Sequence, residues 1–384
     1  MRMIRIIIAG LVMAATVGAA LPQKVFGIDF RPLDTLVGKA VRDSVFPGAS
    51  MVVLHKGRMV YHKAFGKMTY DRGSLPVDTT TVYDLASLTK AIATTSVTMQ
   101  LWERDSLDLD APVSRYLPQF SQNGKAAVTV RNLLLHNSGL RAHALFYKTC
   151  RTPDEVIDAI CADSLLAAPG KVTTYSDLGF IVLGRIIEKI TGKSLAENFY
   201  RRFSAPLGMT STMFNPSSRL LSRTAPVEAD TSWHFDRLRP RVHDQNAALL
   251  DGVAGHAGLF STTGDLAKFM SMMTRQETSG DTFFLKPSTV RMFTSRTGRN
   301  ARALGWDLRA QSGPSTAGDY FSPEAWGHLG FTGTSIWVDP KQELAVIFLS
   351  NRVYPSSENI RIRAFRPILH DTVAECLGLN KPAP

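Results

Sequence analysis

Cysteine is scarce, with three residues in a chain of 384, and no pair of them has the spacing of a metal-ligand motif. No H-E-x-x-H run or EF-hand loop occurs. His136, His143, His234, His243 and His256 stand at no metal-binding spacing and read as loop or core histidines. No resident metal or organic cofactor is expected. Zinc-finger spacing and RNP-like aromatic runs are also missing, which argues against nucleic acid as a partner. Two other motifs are broken. Gly333-Thr334-Ser335-Ile336-Trp337 begins like a G-x-S-x-G elbow but carries Trp337 at its last glycine. Gly192-Lys193-Ser194 has the end of a phosphate loop, with Ile187 where its first glycine belongs. There is no internal repeat or low-complexity segment. Beyond the N-terminus, no apolar run is long enough to cross a membrane.

Apolar residues make up 44% of the chain and charged residues 20%, ordinary values for a protein long enough to bury a sizeable core. Residues 1–20 differ. Arg2 and Arg5 precede the apolar run Ile6–Ala15, and small residues follow through Ala20. That order of basic, apolar and small residues is expected to be a secretory leader cut after Ala19 or Ala20. Export would place the protein in the periplasm or outside the cell. There Cys150 and Cys161 are close enough in sequence to bridge, leaving Cys376 over; three buried thiols fit the sequence equally. The formal charge of +11 suits peripheral attraction to anionic envelope surfaces, although the basic residues are spread as on a solvated face.

One stretch organises the rest. Ser87-Leu88-Thr89-Lys90 opens a long segment with no proline or glycine before Pro112. A helix beginning near Ser87 puts the Lys90 amine beside the Ser87 hydroxyl, because residues i and i+3 share a face. An amine in apolar surroundings is expected to have a lowered pKa and to serve as a base for the serine. Free backbone N–H groups in the first turn suit a developing oxyanion. Ser87 as a plain N-cap and Lys90 as a solvated residue is the bland alternative.

In chain order, residues 49–66 read as a β-hairpin turning at Lys56-Gly57-Arg58. Helices follow from Ser87, over Val130–His136, and from Asp154 to Leu166 behind Pro153. Another runs over Leu178–Ile190 and is stopped by Gly192. Residues 222–241 suggest a long surface loop. The glycine-dense run 252–261 leads to a helix over Asp265–Met273 capped by Thr263. Strands are expected at 304–308, 326–328, 334–339 and 344–350, then a closing helix near 359–377 bent at Pro367. The class is α+β, with sheet strands drawn from both ends of the chain.

Ser87-Leu88-Thr89-Lys90, Tyr175-Ser176-Asp177 and His328-Leu329-Gly330 occur in that order. Together with Leu135–Leu140, Pro169-Gly170 and Ala257–Leu266, this pattern resembles the penicillin-recognising serine hydrolases: class C β-lactamases, D-alanyl-D-alanine carboxypeptidases and related esterases. The resemblance spans roughly residues 30–375. It implies a hydrolase domain over 28–384, with an antiparallel β-sheet flanked by helices and a mainly helical subdomain near 105–255. It makes Ser87 the nucleophile, Lys90 the base or proton relay, and Tyr175 a second shuttle acting as a phenolate near cations. The backbone N–H groups of Ser87 and Phe331, next to Gly330, would hold the oxyanion. Asp177 stands where the family more often has Asn, and either orients Lys90 and substrate or caps the following helix. His328 stands where penicillin-binding members usually have Lys, and Leu329 replaces a hydroxyl residue. Both changes weaken the expected recognition of a substrate carboxylate. The implied substrates are peptidoglycan-derived peptides or small esters ahead of β-lactams. The alternative is an envelope binding or scaffold protein that keeps the fold without turnover.

Overall fold

The computed structural model describes residues 27–228, 242–274, 284–298 and 302–382. The leader at 1–20, most of the expected loop at 222–241, and His234 lie outside the described residues.

The hairpin forms as its sequence dictates. β1 (Gly48–His55) pairs antiparallel with β2 (Arg58–Gly66). Lys56 and Gly57 both take positive φ, 51° and 70°, the geometry a two-residue turn needs to match strand twist. β1 then pairs with β9 (Leu344–Ser350), from the far end of the chain. β8 (Ser335–Asp339), β7 (Trp326–Leu329) and β6 (Asp307–Leu308) complete a six-stranded antiparallel sheet in the order β2-β1-β9-β8-β7-β6. A second, three-stranded sheet orders β3 (Tyr83–Asp84), β5 (Leu259–Ser261) and β4 (Met213–Phe214) as β3-β5-β4.

β9 is buried along its whole length because both faces of the large sheet are covered. Met51, Val53, Val346 and Phe348 point to one side, where they meet Leu33 and Val37 of the Arg31–Arg42 helix and Leu369 and Val373 of the Ile362–Cys376 helix. Val52, Leu54, Ile347 and Leu349 point to the other and join the main core with Leu266 and Met270. This two-residue alternation sorts the apolar side chains, each contributing about 1.5–3 kcal/mol on full burial.

Several boundaries differ from expectation. The helix after Pro153 ends at Ala162, not near Leu166. The Thr263–Met273 helix is capped by Thr262, whose hydroxyl accepts from Asp265 N, not by Thr263. The strand expected at 304–308 shrinks to Asp307–Leu308. Gly305 has φ 78° and approaches Thr95 so closely that an added Cβ would lie 2.0 Å from its Oγ1, so the chain turns there instead of pairing. All three cysteines are free thiols, with Cys161 buried and the other two half-buried.

Candidate active site

The segment that carries Ser87 leaves β3 through a strained residue. Ala86 has φ 47°, a costly conformation for a residue with a side chain, and its N–H is held by the buried Asp84 carboxylate at 2.8 Å. Leu88, Thr89 and Lys90 donate their N–H groups back to Leu85, Ala86 and Ser87 carbonyls. The Ser87 N–H enters no backbone hydrogen bond among the described residues. Wide π-type turns over Lys90–Thr95 then pass into the Ser96–Glu103 helix. Every residue from Leu88 to Leu101 is buried, as the all-round apolar sequence requires.

Lys90 is fully buried. Its Nζ lies 2.9 Å from Ser87 Oγ, 3.0 Å from the His256 carbonyl oxygen and 2.8 Å from Asp177 Oδ1. Three acceptors for three ammonium hydrogens describe a satisfied cation. Burial pushes the ammonium's pKa down, but Asp177 and Tyr175 more than offset it, and the net direction is up. The expected lowering is therefore overturned: the buried carboxylate decides the sign, not the apolar wall. Burial pushes the Asp177 carboxyl up in turn, yet Lys90, His143 and His256 bring it well below the usual carboxylate range. The alternatives for Asp177 resolve as well. Its side chain pairs with Lys90, and the helix Asp177–Thr191 is capped by Ser176, whose hydroxyl accepts from Gly179 N.

Tyr175 closes the group. Its ring centroid lies 4.9 Å from Lys90 Nζ, and Lys90 and Ser87 both favour its ionised form. Burial raises the phenol above its ordinary value despite Lys90, so the resting side chain is a neutral phenol and not the expected phenolate. The His136 ring packs 4.5 Å from it, while His136 Nδ1 accepts from Ser176 N at 2.9 Å and fixes the motif's backbone.

The third motif is stitched to the first. Thr332 Oγ1 donates to the Asp84 carbonyl at 2.7 Å, Thr334 Oγ1 to the Leu85 carbonyl at 3.1 Å, and Gly330 N to Thr334 O at 2.8 Å. A Cβ on Gly330 would sit 2.4 Å from Leu85 O and 2.0 Å from Thr334 Oγ1, so only glycine allows this approach. Phe331 follows, half exposed, and its N–H enters no backbone hydrogen bond among the described residues. Arg352 holds the Phe331 carbonyl at 2.8 Å and stacks 4.3 Å over its ring. His328 is 2% exposed, with Nδ1 2.8 Å from the Leu329 carbonyl and Nε2 without a partner among the described residues. Burial brings its pKa down to about 4, which makes it a neutral ring packed beside Tyr175.

Sequence reasoning missed the groups around this centre. His143 Nδ1 lies 3.2 Å from Asp177 Oδ2. The buried His256 places Nε2 3.0 Å from Asp244 Oδ1. Arg302 pairs with Asp307 and lies 4.7 Å over the Tyr175 ring. Three histidines read as ordinary loop or core residues, His136, His143 and His256, thus border the site. No spacing signal marks them, because each arrives from a different loop; only the glycine density around His256 hinted at a close approach. A cavity of about 450 Å³ lined by Pro153, Arg185 and Gly255 lies elsewhere, and none of Ser87, Lys90 or Tyr175 lines it.

An antiparallel sheet with flanking helices, and a buried lysine linking a serine, a tyrosine and an aspartate, define the class of β-lactamase-like proteins. The chain belongs to the Beta-lactamase family, whose pattern matches residues 33–367. A relative in Escherichia coli K12, provisionally named a D-alanyl-D-alanine carboxypeptidase, is 31% identical over 347 residues, covering 81% of this chain and 79% of its own. A Salmonella agona protein of the same provisional name is 31% identical over 381 residues. Among solved structures, a penicillin-binding protein homologue from Caulobacter crescentus superposes with a TM-score of 0.70 at 20% identity, over 90% of this chain and 97% of that one. The simvastatin synthase of Aspergillus terreus gives 0.70 at 21% identity, over 90% and 98%. These two likenesses concern the fold.

Proposed function

We propose that the protein is an exported serine hydrolase that cleaves an amide or ester through a Ser87 acyl-enzyme, with D-Ala-D-Ala-type peptides as the preferred substrate class. The observation that carries the reading is the 2.9 Å contact between Ser87 Oγ and a fully buried Lys90, with the Tyr175 ring 4.9 Å from the same amine. Ser87 Oγ attacks the carbonyl carbon, and its proton passes to Lys90 once that amine is free. The oxyanion is received by the N–H groups of Ser87 and Phe331. Tyr175, protonated at rest, gives its proton to the leaving amine or alkoxide. Water then releases the acyl group by the reverse sequence. The carboxypeptidase names of the relatives support the peptide class. So does Arg302, a cation over the Tyr175 ring, which compensates for the missing lysine at His328. The leader-like residues 1–20 and the charge of +11 support export and attraction to anionic envelope surfaces.

A fluorescent fluorophosphonate tests the reading. Wild-type protein is expected to label covalently within minutes and Ser87→Ala not at all. Equal labelling of the two, or none of either, would reject the acyl-enzyme. A panel of D-Ala-D-Ala peptides, aryl esters and cephalosporins then ranks the substrates.

A further inference from the structure

Asp177 uses both carboxylate oxygens, and on opposite sides. Oδ1 faces the fully buried Lys90 at 2.8 Å, with Lys90 in turn on Ser87. Oδ2 faces His143, whose side chain is 45% exposed. The His143 segment is fastened to this motif: Ser176 Oγ donates to the Arg141 carbonyl at 2.7 Å and Asp177 N to the Ala142 carbonyl at 2.8 Å. A polar path therefore runs from the nucleophile through lysine and carboxylate to an imidazole at the surface. The charged groups facing His143 are Asp177, Asp244 from the N-cap of the Gln245–Leu249 helix, and Lys90 across Asp177. Arg141, on the same loop, is turned away onto Asp163 at 2.6 Å.

This path meets a difficulty that the resting site poses. Lys90 must become a neutral amine before it can take the Ser87 proton, but its loss of charge would leave Asp177, whose side chain is only 18% exposed, as a carboxylate without a counter-ion, an unfavourable state. We propose that His143 is a positioning residue that supplies the replacement charge: it becomes an imidazolium against Asp177 Oδ2 as Lys90 becomes neutral on Oδ1. With Nδ1–H donating to the carboxylate, the outer ring nitrogen takes one proton from solvent while Lys90 releases one, so the proton count of the site is unchanged. The Asp177 contact, the larger cause, and the nearby Asp244 together raise His143 above its ordinary value against the effect of burial, which favours this exchange. The inference rests on the acyl-enzyme reading and adds to it the device that readies the base.

The proposal has a kinetic signature. The working form, His143 charged and Lys90 neutral, carries as many protons as the resting form with the charges exchanged. Between the two ionisations its share of the enzyme is constant, so the rate does not change with pH there. In His143→Gln the working form has one proton fewer than the resting form, and its share grows tenfold per pH unit. The experiment is the rate of fluorophosphonate labelling of full-length protein from pH 5 to 10. Wild type is expected to rise and then level above the His143 ionisation. His143→Gln is expected to be at least about tenfold slower at pH 7 and to climb without a plateau. His143→Lys, which restores a cation, is expected to be faster than His143→Gln at pH 7. A His143→Gln profile that superimposes on wild type, or a His143→Lys variant no faster than His143→Gln, would overturn the proposal. Labelling that depends on Ser87 in all variants keeps that outcome distinct from failure of the acyl-enzyme reading.

Discussion

At the residue scale, the site turns on where single charges are placed. Lys90 and Asp177 form a buried pair whose members hold each other ionised, while burial keeps Tyr175 and His328 neutral. Arg302, paired with Asp307, lies 4.7 Å from the Tyr175 ring and is not tied to Asp177. If the proposed peptide substrates dock there, a free terminal carboxylate would gain a charge-assisted hydrogen bond that a neutral aryl ester would not. Such bonds contribute about 1.5–3 kcal/mol. Arg302→Gln is therefore expected to raise KM for a D-Ala-D-Ala peptide by about 10- to 100-fold, with KM for p-nitrophenyl acetate unchanged. Equal changes for both substrates in steady-state assays would remove Arg302 from carboxylate recognition. Part of this centre was legible in the chain: Ser87, Lys90 and Tyr175 lie in ordered motifs, and the i,i+3 spacing predicts the Ser87–Lys90 contact. The Lys90 pKa was not legible, because its sign depends on Asp177, 87 residues away in sequence, and on which oxygen faces which cation. Arg302, His143 and His256 carry no motif, and only the folded loops bring them in.

At the scale of elements, two short connections set the geometry that the motifs need. The turn before the helix that follows Ser87 is held by Asp84 on Ala86 N, and the turn after β7 is laced to the same strand end by Thr332 and Thr334. The hairpin and the long helices follow from period-two and period-3.6 patterns read off the sequence. These connections do not, because they depend on contacts between segments about 250 residues apart. Short strands such as β3 and β4 escaped detection for the same reason: two residues have no periodicity. Gly330 tests the lacing. Its added methyl would press on the Leu85 carbonyl, a backbone atom that cannot swing aside, and would lift Phe331 N–H away from Ser87. Losing one oxyanion donor costs about 10²–10³ in turnover. Gly330→Ala is expected to fall by about that factor in kcat while its melting temperature moves only a few degrees. A variant within twofold of wild type would place the second donor elsewhere than Phe331.

At the scale of the molecule, the fold stores histidines in places where they ionise only well below their ordinary value. His328 and His370 are fully buried, and burial brings each down to about 4; His136 is also held well below its ordinary value. His328 lies by the site, whereas His370 packs against Phe321 in the core between the large sheet and the closing helix. An imidazole with a depressed folded pKa binds no proton where the unfolded chain does. Stability is then complete above the unfolded value near 6.5 and is lost as pH falls from there toward 4. Full loss is worth on the order of 3 kcal/mol for each of His328 and His370, and about 2 kcal/mol each is gone by pH 5. Asp177 and Asp244, both lowered, act in the same direction at still lower pH, while the buried Asp84, raised by desolvation, opposes them. His55 and His62 are lowered too, whereas His143 and Asp371 are raised and side with Asp84; the large shifts of His328 and His370 decide the sign. The protein is expected to melt at least about 5 °C lower at pH 5 than at pH 7, and His370→Gln, which removes one of these ionisations away from the site, is expected to narrow that gap. A melting temperature constant from pH 7 to pH 5 would mean that these rings are protonated in the native state, with water reaching both the core and the floor of the active site.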